Sequence, residues 1–84
     1  MRDKIREVVL DYVIKEYMED QDEEITYDTA LISGGFIDSF SMVSLKVFLE
    51  TKYQIKLPDD KATPEAFDTV ENITDLVIEF LDKK

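Results

Sequence analysis

Along residues 3–17, Ile5, Val8, Val9, Tyr12 and Val13 recur at three- and four-residue intervals among charged positions. That spacing predicts an amphipathic helix. A second helical pattern runs over residues 39–53, with Asp38 placed to cap its N-terminus. A third runs over residues 70–81 behind Thr69, with Ile73, Val77, Phe80 and Leu81 on its apolar face. Lys83 and Lys84 suit the C-terminal end of that helix dipole. Pro64-Glu65-Ala66-Phe67 predicts a single helical turn, with proline at the first position, where no N–H is needed. Strand-like alternation is absent, and no repeat or low-complexity linker occurs. The expected fold is all-α: a small bundle of three longer helices and a short helical turn, with a long loop over residues 25–38 between the first two helices. Ile25, Tyr27, Leu31, Phe36 and Ile37 are expected to pin that loop to the core. Gly34-Gly35 frees its backbone just ahead of Asp38.

The second helix carries two apolar faces. At 3.6 residues per turn, Met42, Leu45, Leu49 and Tyr53 fall on one side, and Phe40, Val43 and Val47 nearly opposite. A surface helix needs one apolar stripe. In so small a protein this helix is hard to bury all round. Phe40, Val43 and Val47 are therefore candidates for a contact patch. The plain alternative is that some of them pack under the 25–38 loop.

Composition narrows the chemistry. The chain has 84 residues, which predicts one domain over residues 1–84 with a thin core. It has no cysteine, so neither disulfides nor a zinc-thiolate site is available. It has no histidine, the usual base for a serine nucleophile and the commonest metal ligand. No catalytic residue and no metal site are expected. The net charge of -10 argues against nucleic acid and favours encounter with basic partner proteins. Runs such as Val8-Val9-Leu10 are too short to span a membrane, and the expectation is a cytoplasmic monomer.

Two charged clusters need their own reading. The run Glu19-Asp20-Gln21-Asp22-Glu23-Glu24 invites a calcium loop, but a loop begun at Asp20 needs glycine where Ile25 stands. A solvated helix end and loop is the expectation. Arg2, Lys4 and Arg6 crowd the positive end of the first helix dipole. They are expected to form a small positive patch on an acidic protein.

The stretch Gly35-Phe36-Ile37-Asp38-Ser39-Phe40-Ser41-Met42 resembles the phosphopantetheine attachment motif of acyl carrier proteins. The family pattern is Gly-x-Asp-Ser-Leu opening a helix. Here one further residue separates Gly35 from Asp38, as in the Leu-Asp-Ser-Met variants of aminoacyl and alanyl carriers. Tyr53-x-Ile55-x-Leu57-Pro58-Asp59-Asp60 and Phe67-Asp68-Thr69-Val70-x-x-Ile73 are also similar to the family, so the resemblance spans the chain. It implies a 4'-phosphopantetheine group on Ser39, holding acyl or aminoacyl intermediates as thioesters. It also implies that Asp38 caps the helix and assists a phosphopantetheinyl transferase with its metal ion. With no cysteine in the chain, a thiol has to come from such a group. Its phosphate would sit at a helix N-terminus, which favours anions.

Departures from the pattern bear on partners. Phe40 stands where leucine is usual, and Ser41 and Ser44 where fatty-acid carriers have acidic residues. Between Asp38 and Tyr53, Asp38 and Glu50 balance Lys46 and Lys52, so the net charge of that stretch is zero. The resemblance then implies acyl-transferring or adenylating enzymes of a specialised pathway, rather than the housekeeping fatty-acid enzymes. A small acidic helical interaction module without a prosthetic group is the competing expectation.

Overall fold

The computed structural model describes residues 2–17 and 25–83. The acidic run at 19–24 and Lys84 lie outside the described residues. Three helices follow in order: α1 (Arg2–Tyr17), α2 (Ser39–Tyr53) and α3 (Val70–Asp82). Each begins or ends within a residue or two of its predicted bound. Among the described residues there is no strand, and no helix is long and apolar enough to cross a membrane.

The core is built from one stripe of each helix. Ile5, Val9 and Val13 of α1 meet Leu45 and Leu49 of α2 and Val70, Ile73, Leu76 and Val77 of α3. Ile25, Leu31, Ile37, Ile55, Leu57 and Phe67 complete it from the connecting segments. Tyr27 and Phe36 are half-buried against it, so all five predicted loop anchors face the core. Val8 and Tyr12 are half-buried on the flank of α1 that turns toward α2. Thr74 is the buried polar side chain of α3, and its hydroxyl donates to the Val70 carbonyl at 2.8 Å, which satisfies that group.

Local sequence explains each helix end. The Thr69 hydroxyl accepts from the Asn72 N–H at 3.0 Å and starts α3. Glu71, in the first turn of α3, has its N–H taken by the Tyr27 carbonyl at 3.1 Å, which ties the start of the long loop to that helix. At the end of α2, Gln54 adopts the left-handed conformation (φ 53°) and returns its N–H to the Glu50 carbonyl. Residues 64–67 form one hydrogen-bonded turn, closed by the Phe67 N–H on the Thr63 carbonyl at 3.1 Å. The Thr63 hydroxyl accepts from the Ala66 N–H at 3.2 Å, a cap the sequence reading did not single out.

Two members of the basic cluster, Arg2 and Arg6, are ion-paired rather than free. Arg2 pairs with Glu71 and Asp75 of α3, and Arg6 with Glu71, at 2.7 Å, and with Asp3. Arg6 also lies over the Tyr27 ring at 4.7 Å. The unfavourable dipole position of these arginines is offset by Glu71, 69 residues from Arg2 and 65 from Arg6, which no reading of α1 alone reveals. The same arginines, Arg6 first, hold the Glu71 carboxyl below its usual range.

Candidate functional site: the start of α2

The long loop delivers Ser39 to the surface through a series of fixed contacts. Asp68, just before α3, is the anchor. Its carboxylate accepts from the Ile32 N–H at 2.9 Å, the Ser33 N–H at 2.9 Å and the Ser33 hydroxyl at 2.8 Å. Its carbonyl accepts from the Leu31 N–H at 2.6 Å. Leu31 in turn accepts from the N–H groups of Phe36 and Ile37, which closes the loop on itself. Hydrogen bonds from Ser33 hold the Asp68 carboxyl below the ordinary range.

Each glycine answers a different need. A Cβ on Gly34 would lie 2.1 Å from the Ala30 carbonyl oxygen, so the backbone approach there excludes any side chain. Gly35 has φ +83° and open space around it. It permits the left-handed turn that sends the chain toward Asp38.

Asp38 caps α2, as expected. Its backbone is extended, its Oδ1 accepts from the Ser41 N–H at 2.9 Å, and its carbonyl accepts from the Met42 N–H at 2.9 Å. The Ser41 contacts, the backbone N–H first, hold its carboxyl below the usual range. Ser39 is the first residue of α2 and is exposed, with its hydroxyl at the positive end of the helix dipole.

The two-faced character of α2 is present in the fold. Leu45 and Leu49 are fully buried, and Met42 and Tyr53 pack partly against the core. Phe40 is 86% exposed, and Val43 and Val47 are each 53% exposed. All three are exposed, and they form one apolar stripe running from the start of α2 along the helix. Lys46 beside the stripe is paired with Asp59 at 3.2 Å. Glu50 is turned inward to accept from the Leu57 N–H at 2.9 Å.

Three contributors were given no role in the sequence reading, although Asp68 stands in the family-like stretch Phe67-Asp68-Thr69-Val70. Phe48 stacks on Tyr12 with ring centroids 4.0 Å apart, which fixes α2 against α1. Tyr17, at the end of α1, donates its hydroxyl to the Ser41 carbonyl at 3.0 Å. Asp68 is the third. Of these, only Phe48 had a local signal, as an aromatic on the flank of the Leu45/Leu49 face. Among the described residues no group of acids could hold a metal ion. An open hollow of about 400 Å³ beside Ile55 and Phe80 lies at the far end of α2, roughly 22 Å of helix away from Ser39.

Comparison with known proteins gives this arrangement its class. An acyl carrier protein of Clostridium perfringens is 29% identical over 83 residues, covering 99% of this chain and 100% of that protein. A D-alanyl carrier protein of Streptococcus suis is 30% identical over 77 residues, covering 92% of this chain and 95% of that protein. No family model matches the chain, and no solved structure matches it. The chain belongs to the acyl carrier protein family. It is a carrier rather than an enzyme.

Proposed function

We propose that Ser39 bears a 4'-phosphopantetheine group through a phosphodiester, and that the chain works as one carrier domain presenting acyl or aminoacyl cargo to partner enzymes. The observation that carries this reading is an exposed serine as the first residue of a capped helix, in a family of carriers and a chain without cysteine. Once attached, the group supplies the thiol on which cargo is held as a thioester. The chain's own part is presentation. Ser39 needs no base of its own, because the modifying transferase supplies that chemistry. The exposed first turn leaves the serine within reach of such an enzyme. The positive helix end favours the phosphate. Asp38 stays ionised because it caps the helix, which suits a role toward the transferase's metal ion.

The stripe of Phe40, Val43 and Val47 is the proposed contact for partner enzymes. A stretch from Asp38 to Tyr53 of zero net charge, with Ser41 and Ser44 beside the stripe, fits recognition by apolar contact and shape. That points to acyl-transferring or adenylating enzymes of a specialised pathway. The test is intact mass after incubation with coenzyme A, magnesium and a broad-specificity phosphopantetheinyl transferase. Wild type is expected to gain one phosphopantetheine and Ser39→Ala none. A gain that persists in Ser39→Ala rejects the site.

A further inference from the structure

Resting on the reading of Ser39 as the attachment residue, we infer that Tyr17 is a positioning residue for it. By donating to the Ser41 carbonyl, the Tyr17 hydroxyl fixes the first turn of α2 and holds Ser39 in the orientation that a modifying enzyme takes up. Ser41 is thereby gripped at both ends of the residue. Its N–H goes to the Asp38 carboxylate at 2.9 Å and its carbonyl receives Tyr17 at 3.0 Å.

The first turn of a helix is where ends fray, since its N–H groups lack helical partners. The segment feeding this turn is anchored through Asp68 and the buried Ile37, and the Asp38 cap ties the turn to that segment. Tyr17 adds an anchor from a different helix, and its ring is itself held. It meets the Tyr12 ring edge-on with centroids 6.0 Å apart, and Tyr12 is stacked on Phe48. The Ser41 carbonyl already lies in a position to serve the helix, so the tyrosine bond adds a tether rather than satisfying an orphan group. Burial, then the neighbouring Tyr12, pushes the Tyr17 hydroxyl well above its ordinary range, so it remains a donor at any neutral or mildly alkaline pH.

Tyr17→Phe removes the hydroxyl and keeps the ring packing. Apo protein of both forms is to be compared in phosphopantetheinylation kinetics with coenzyme A, magnesium and one transferase. Amide hydrogen exchange by NMR is measured alongside. A turn that is only part of the time in the competent orientation lowers apparent affinity by that fraction. The loss of one hydrogen bond then raises KM for the carrier by about 2- to 10-fold with kcat unchanged. Exchange at Ser41 and Met42 is expected to accelerate by a similar factor, while Ile73 and Val77 of α3 stay as in wild type. An unchanged KM, or faster exchange spread equally over α2 and α3, overturns the inference. If wild type takes up no phosphopantetheine, the reading of Ser39 fails. Exchange then judges Tyr17 by itself, and unaltered rates at Ser41 and Met42 reject its role.

Discussion

Asp68 and Ser33 are joined twice, by the serine's N–H at 2.9 Å and by its hydroxyl at 2.8 Å. This pair turns a long connection into a fixed support for the start of α2. The Asp68 carboxyl titrates below its unfolded value, near 3.9, because the folded loop donates to its charged form. In that range the unfolded chain binds more protons than the folded one, so stability rises with pH. The contribution is present above about pH 4 and is lost as pH falls through the lowered folded value. Asp68→Asn should therefore be less stable than wild type in urea melts from pH 5 to 7. The gap should close below pH 4. A gap independent of pH would place the effect of Asp68 in shape rather than charge.

The two glycines should respond differently to alanine. Gly35→Ala meets no atom but forces a left-handed conformation, at a cost of about 1–2 kcal/mol. Gly34→Ala puts a Cβ on the Ala30 carbonyl oxygen, and the loop backbone must move to admit it. The larger loss in denaturant midpoint is expected for Gly34→Ala, and equal losses would contradict the distinction.

The faces of α2 can be separated by truncation. Leu49 is fully buried, and Leu49→Ala should destabilise by about 2–5 kcal/mol, a large part of a small domain's stability. Val43 is more than half exposed, and Val43→Ala should change stability by about 0.5 kcal/mol or less. Comparable losses in paired urea melts would show that the outer stripe is structural.

Much of this architecture is legible in the sequence, and the remainder has one physical character. The helices, the caps at Asp38 and Thr69 and the split of α2 into two faces follow from spacing and local side-chain chemistry. The outer stripe is legible because three apolar residues sit opposite Leu45 and Leu49. The role of Asp68 is not legible, since its partners Ile32 and Ser33 lie 36 and 35 residues away. Arg2 and Arg6 look misplaced on α1 alone and make sense only beside Glu71 and Asp75. Tyr17 likewise meets Ser41 only once α1 and α2 are packed, 24 residues apart.

Partner choice should follow the lack of net negative charge between Asp38 and Tyr53. In the holo form, Val43→Asp should keep the fold and impair turnover by the cognate enzyme, because it buries an unpaired carboxylate in the complex. Ser41→Asp with Ser44→Glu should improve service to housekeeping fatty-acid enzymes and weaken it with the cognate one. Kinetics across a salt series check this, since screening weakens charge-steered encounter and leaves apolar contact. Wild type serving the housekeeping enzymes as well as their own carrier does would contradict specialisation.

The central claim is that Ser39, among four serines at 33, 39, 41 and 44, bears the cargo arm. Peptide-level fragmentation mass spectrometry of the enzymatically modified protein addresses it directly. The account predicts a single phosphopantetheine on Ser39, with the other three serines unmodified. A group found on Ser41 or Ser44, or no modification by any of several transferases, would contradict it.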